Sequence, residues 1–141
     1  MSEMDRAVAV MEEFQTRLDQ ALAAGPARYA DLFANPPAGV GMHEIDKDRV
    51  IRRVNPVEPG LLGYSATDLV GKPVSELIVM SEASRRAIDK KIAGEVALKP
   101  FARSFKRADG VAVTMAMVDR LIKDSSGAVV GLRTAMMVIA G

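Results

Sequence analysis

The chain has 141 residues, of which 49% are hydrophobic, so it can form one packed core but is too short for two independent domains. Its formal net charge of +1 gives no reason to expect nucleic acid or an anionic membrane as a partner. The sequence contains no cysteine, which excludes disulfide bonds, thiolate catalysis and cofactors attached through sulfur.

The N-terminal segment predicts two helices. Apolar residues recur every three or four positions over residues 4–23, which is typical of the buried stripe of an amphipathic helix. Gly25 and Pro26 end this helix, and a shorter one follows over residues 27–34 with Pro26 at its first position. Because acidic residues occur near the start and no long apolar run is present, we predict neither a signal peptide nor a membrane span and expect a cytoplasmic location.

The middle of the chain predicts a β-hairpin followed by short helices. Residues 40–45 and 50–54 are typical of two strands joined by an Asp46-Lys47-Asp48 turn. Proline and glycine then crowd residues 56–73, and these helix breakers limit that segment to short helical turns.

The remainder predicts one longer helix and a sheet. Ser81 is predicted to cap a helix over residues 84–92, and Gly94 ends it. Three runs of β-branched and apolar residues then predict an antiparallel meander: 101–107, 111–122 and 129–139. The sequence thus predicts an N-terminal amphipathic helix over residues 1–25 and an α+β domain over residues 26–141. This domain contains a five-stranded antiparallel sheet with short helices on one face.

Four stretches of the chain carry a pattern that covers roughly residues 29–140. They are YADLFANPPAGVGMHEID, RVIRRVNPVEPGLLGYSATDLVGKPVSELI, FKRADGVAVTM and IKDSSGAVVGLRTAMMVI. The most specific part is Asn55 followed by Leu61-Leu62-Gly63-Tyr64-Ser65 and then by Leu69-x-Gly71-Lys72. Together these stretches resemble the PAS domain family. We interpret Asn55, which would tie the first helical turn to the sheet, and Gly63, which would serve close packing or a positive φ, as structural.

The resemblance implies a sensory function. PAS domains enclose a pocket between the concave face of the sheet and the helices, and the apolar residues expected to line it are Leu62, Leu77, Ile78, Ile88, Ile92, Met115, Met117, Leu132 and Met136. The expected function is the input module of a bacterial-type signal transduction protein, which binds a small molecule or cofactor and acts on an effector. The alternative is a ligand-free PAS domain that serves as a dimerisation or protein-interaction module in a kinase or transcription regulator.

Catalysis and several cofactors are not expected. A third possibility, a small hydratase or isomerase, requires a buried carboxylate or tyrosine dyad that no motif supplies. Flavin photosensors of the family use a reactive cysteine, which this chain lacks. Haem-binding members use a histidine on the long helix, whereas residues 81–95 contain none. The single histidine, His43, lies on the first predicted strand, with its face undetermined, and no metal is predicted.

Two further surfaces carry predictions. Arg85, Arg86, Lys90 and Lys91 are expected to form a basic face that attracts an acidic partner or a phosphate-bearing cofactor. The last strand is apolar on both faces, so its outer face requires a cover. The N-terminal helix can supply it and can also join two subunits, which predicts a homodimer interface of Met4, Val8, Met11, Phe14, Leu18, Leu22, Ala135, Met137 and Ile139.

Overall fold

A computed structural model describes residues 2–140, so the predicted outer limits at residues 1 and 141 lie outside the described part. Within it, five strands form one antiparallel sheet in the order β2-β1-β5-β4-β3. The elements are α1 Glu3–Ala24, α2 Pro26–Ala34, β1 Gly41–Asp46, β2 Ile51–Val54, α3 Glu58–Leu62, α4 Ala66–Leu69, a 3-10 turn Val74–Leu77, α5 Ser81–Ile92, β3 Phe101–Lys106, β4 Ala112–Lys123 and β5 Val129–Ala140. The predicted α+β architecture is confirmed.

The N-terminal helices begin and end at residues suited to those positions. Ser2 and Asp5 form a capping box in which the Ser2 hydroxyl accepts from the Asp5 amide at 3.0 Å and the Asp5 carboxylate accepts from the Ser2 amide at 3.3 Å. Gly25 takes φ +120° between the two helices, a conformation that other residues rarely adopt. Pro26 occupies the start of α2, as predicted.

The sheet is apolar on both faces, and each face contacts a different set of helices. Alternation along β4 sends Met115 and Met117 toward α3–α5 and Ala116 and Val118 toward α1 and α2. We call the first side the inner core and the second side the outer core. The helices on the outer face bury its apolar residues, and a fully buried leucine such as Leu18 contributes about 1.5–3 kcal/mol of stability.

Loop segments pair with both edge strands. Beside β2, the Ile51 amide donates to the Lys72 carbonyl at 3.0 Å and the Gly71 amide donates to the Ile51 carbonyl at 2.8 Å. Beside β3, the Val79 amide donates to the Ser104 carbonyl at 3.0 Å. Because unpaired strand edges are templates for aggregation, these bonds reduce the open edge of the sheet.

Two local predictions need correction or refinement. Ser81 does not cap α5, because the helix already includes it and Met80 occupies the cap position without a side-chain hydrogen bond. In the β1–β2 turn, Arg49 has a positive φ of 68°. The Asp46 carboxylate stabilises this turn by accepting from the amides of Asp48 at 2.8 Å and Val50 at 3.1 Å.

Candidate functional site

The inner core contains a cluster of charged side chains drawn from five elements. Alternation along β1 turns His43 inward together with Ile45, which settles the face that the sequence left open. His43 is 3% exposed and Glu58, from α3, is 0% exposed. The His43 Nδ1 and Glu58 Oε1 atoms are 2.7 Å apart. These two residues form a buried pair beneath the sheet.

Asn55 positions Glu58 against the sheet. Its Oδ1 atom accepts from the amides of Glu58 at 3.1 Å and of Met42 at 2.9 Å, and its Nδ2 atom donates to the Val40 carbonyl at 3.3 Å. The predicted role of Asn55 in tying the first helical turn to the sheet is therefore confirmed.

Electrostatics favour the charged form of His43. Burial alone lowers the pKa of its imidazole, but the charge of Glu58 and the hydrogen bond to it outweigh burial and raise the pKa above 6.5. Glu58 Oε2 is buried and has no hydrogen-bond partner within residues 2–140. A buried carboxylate oxygen without a donor is costly, which distinguishes this cluster from an ordinary core.

Asp119, on β4, is the centre of a second buried pair. Its Oδ2 atom lies 2.7 Å from Lys91 Nζ, and its Oδ1 atom accepts from the Thr134 hydroxyl at 2.7 Å. Burial lowers the pKa of Lys91, and the carboxylate of Asp119 opposes that shift.

The predicted basic face is wrong for Lys91, because this residue shares the buried face of α5 with Ser84 and Ile88. The two arginines of the predicted basic face, Arg85 and Arg86, contact Glu82 at 3.5 Å and 3.8 Å.

Arg103, on β3, is the third cation of the cluster. Its guanidinium lies 4.8 Å from the centre of the Phe101 ring, over which Lys91 Nζ also lies, at 3.4 Å. Burial lowers the pKa of Arg103, and the charge of Asp119 opposes the shift. Within the described chain, the Arg103 side chain makes neither a hydrogen bond nor an ion pair. The cluster therefore combines three basic side chains with only two carboxylates.

A small cavity lies among these groups. Its volume is about 10 Å³, and its polar lining comes from His43, Arg103, Asp119 and Thr134. This volume is enough for about one water molecule. Glu58 does not line it.

A larger groove opens outside the cavity, between α5 and the edge strand β3. It has a volume of about 390 Å³, with Ile78, Ala83 and Ala87 in its apolar wall and Ser84 and Arg103 among its polar residues. Arg103 lines both the groove and the internal cavity, so this residue links the surface to the polar cluster.

Solved structures share this fold. A PAS domain from Colwellia psychrerythraea aligns with a TM-score of 0.68 at 17% identity and covers 79% of this chain and 94% of its own. The PAS domain of a LuxR-family transcriptional regulator from Burkholderia thailandensis aligns with a TM-score of 0.62 at 20% identity, covering 80% and 98%. A domain of a sensor histidine kinase/response regulator from Geobacter sulfurreducens gives 0.64 at 18% identity, covering 79% and 91%. The chain has the PAS fold. Neither a protein-family model nor a curated protein sequence matches it.

The nine residues predicted to line the PAS pocket all lie in or against the inner core. Ile88, Met117 and Leu132 border the 10 Å³ cavity, and Ile78 borders the groove. The others belong to the same apolar core, and the role of all nine in ligand binding stays a prediction.

Sequence reasoning missed the polar members of the site. Asp119 and Thr134 lie on β4 and β5, and alternation places both on the same face as Met117 and Met136. A charged residue, Asp119, on the same strand face as Met117 was the signal that could have found this site. No comparable signal marks Glu58, because its burial depends on the path of the chain after β2.

The residues predicted for a dimer interface fall into two groups in this structure. Met11, Phe14, Leu18 and Ala135 are buried within the chain, where α1 packs on the outer face of the sheet. The remaining residues keep some exposure: Met4, Val8, Leu22, Met137 and Ile139. The dimer contact itself stays a prediction.

Along residues 2–140, no helix combines the length and apolar character needed to cross a bilayer.

Metal binding finds no support among the described side chains. No group of three or more histidine, aspartate or glutamate residues in the described range is arranged to hold an ion. His43 and Asp119 are each engaged by a neighbouring charged residue, at 2.7 Å in both cases.

Proposed function

We propose that this PAS domain is the sensory input module of a signal transduction protein that acts in the cytoplasm. It binds a small molecule at the buried polar cluster and the adjoining groove, and it relays binding through dimer contacts to an effector. The observation that carries the proposal is the buried charge cluster around Asp119 and His43. Replacing buried ion pairs by apolar residues is often neutral or stabilising, so retaining them favours a role beyond packing.

Solved PAS domains of similar fold support this context. The Burkholderia domain belongs to a transcriptional regulator and was solved in complex with ethanol. The Geobacter domain belongs to a sensor histidine kinase/response regulator. Both are proteins that convert an input into a regulatory output, which is the role we propose for this chain.

A direct connection from the cluster to α1 supports the relay. Asp119 and Arg120 are consecutive on β4, so their side chains lie on opposite faces of the sheet. Arg120 donates to both carboxylate oxygens of Asp19 on α1, from Nε at 2.7 Å and from Nη2 at 3.0 Å. The hydrogen bond from Arg120 lowers the pKa of the Asp19 carboxyl. A shift of β4 at the cluster therefore moves an anchor point of α1.

The proposed output runs through a homodimer. Met4 and Val10 of α1 are 43% and 44% exposed, and Met137 and Ile139 of β5 are partly exposed beside the same helix. A second subunit that covers these residues would contact α1, so a movement of α1 would change the dimer interface. We propose no catalytic step, because His43 and Asp119 are each engaged in an ion pair rather than arranged around a nucleophile.

The experiment is to denature purified protein and identify any released small molecule by mass spectrometry. We expect a compound in stoichiometric amount, and we expect Asp119→Asn to lose it while Glu95→Gln, an exposed charge change beyond α5, retains it. Equal retention by both variants would contradict a site at the cluster.

A second candidate is a ligand-free dimerisation module. The cavity of only about 10 Å³ favours it, because the inner core is nearly filled. This function predicts a dimer whose association constant is the same with or without small molecules from the host cell, as measured by sedimentation equilibrium. The sensory function predicts that the constant changes.

A further inference from the structure

Arg103 is a cation without a counterion. The Lys91 ammonium and the Thr134 hydroxyl already occupy the two oxygens of Asp119, at 2.7 Å each, and His43 is paired with Glu58. The guanidinium of Arg103 therefore retains its planar set of donors for another acceptor. A partly buried cation is costly unless it is paired, so an anion bound here gains a favourable interaction.

The groove supplies a second unsatisfied polar group beside Arg103. Ser84 is 7% exposed and lines the groove, and its hydroxyl has no hydrogen-bond partner in the part of the chain that the structure describes. The apolar wall of Ile78, Ala83 and Ala87 lies beside it. The volume of about 390 Å³ is in the range of small-molecule sites.

We propose that this groove binds a small organic monocarboxylate, with the carboxylate on Arg103 and Ser84 and the apolar body on Ile78, Ala83 and Ala87. The inference rests on the proposed sensory function and specifies its ligand class. The planar fork of a guanidinium matches a carboxylate with two parallel hydrogen bonds. A phosphate dianion fits less well, because the groove offers a single unpaired cation.

The first test measures ligand class with the full chain. Hexanoate is titrated by calorimetry, with 1-hexanol as the neutral counterpart and inorganic phosphate as the competing anion, while ¹⁵N spectra follow the Nε signal of Arg103. We expect hexanoate to bind at least about tenfold more tightly than 1-hexanol, since hydrogen bonds to charged groups are the stronger ones. We also expect hexanoate to shift the Arg103 Nε signal.

The second test uses matched variants. Arg103→Gln should weaken hexanoate binding about ten- to hundredfold, because it removes the charged donors. Arg103→Lys, which keeps the charge but not the fork, should lie between the wild type and Arg103→Gln. Lys106→Gln is the control, since Lys106 is an exposed residue of the same strand and the substitution makes the same charge change. Circular dichroism melting checks that each variant is folded.

Three results would overturn the inference: equal affinity for hexanoate and 1-hexanol, equal affinity of the Arg103→Gln and Lys106→Gln variants, or a shift of the Arg103 signal by phosphate but not by hexanoate. If hexanoate does not bind and denaturation releases a neutral compound, the ligand class is wrong and the sensory function stands. If hexanoate binds through Arg103 but leaves the dimer association constant unchanged, the site is right and the proposed relay fails.

Discussion

The two faces of one sheet serve different purposes in this domain. The outer face, under α1 and α2, uses small residues such as Ala116 and Ala135, on which Met11, Phe14 and Leu18 of α1 pack. The inner face combines an apolar core with two buried ion pairs. The same strands supply both, because successive side chains alternate between faces. The difference indicates that the outer core stabilises the fold, whereas the inner core gives up part of that stability for a polar site.

The largest expected effect comes from breaking one inner ion pair. Lys91→Met leaves the Asp119 carboxylate buried without its cation, which should lower the free energy of unfolding by about 3–5 kcal/mol. Adding Asp119→Asn should recover most of that loss, because both charges are then absent. Urea unfolding measures the single and double variants. Costs that simply add would show that the two groups do not act as a pair.

The outer core should respond by packing alone. Leu18→Ala removes a fully buried side chain and should cost about 2–5 kcal/mol. Thr16→Ala, at an exposed position on the same helix that belongs to neither the core nor the proposed dimer contact, is the control and should change stability by no more than about 0.5 kcal/mol. A similar loss in both variants, measured in urea, would indicate that α1 is not packed as described.

Sequence patterns predicted the outer core better than the inner site. The stripe containing Met11, Phe14 and Leu18 follows the helical period, and an apolar outer face on β5 called for a cover. The role of Asn55 was also predictable, because its position after a strand indicated that its side chain would form hydrogen bonds between the sheet and the next helix. Each of these predictions was based on a pattern of residues close in sequence.

The inner cluster depends on contacts between distant elements. The Lys91–Asp119 pair joins α5 to β4, and the His43–Glu58 pair joins β1 to α3. Lys91 belonged to a basic run that is typical of a solvated face, and only the packing of α5 on the sheet turns it inward. Residue type alone could not distinguish Lys91 from the exposed Lys90.

The pH dependence of the unfolding free energy is expected to be a smaller effect, and it should distinguish the inner core from the outer core. The pKa of His43 is raised on folding, so its pair with Glu58 stabilises the protein fully below pH 6.5, and this contribution is lost as the pH rises through the folded-state pKa. Asp119 acts in the same direction and Arg103 in the opposite direction, with Lys91 beside Asp119. We expect the unfolding free energy to fall above pH 6.5 in the wild type and to fall less in His43→Gln. Parallel pH profiles of urea unfolding would contradict this linkage.

Hydrogen exchange of α1 tests most directly whether the inner cluster is coupled to the outer helix. Asp119→Asn changes the charge inside the cluster without changing its volume, and Met115→Leu is the matched change at an apolar inner position. We expect faster amide exchange around Asp19 in Asp119→Asn than in Met115→Leu, because Arg120 connects β4 to α1. Identical exchange of α1 in the two variants would contradict the coupling.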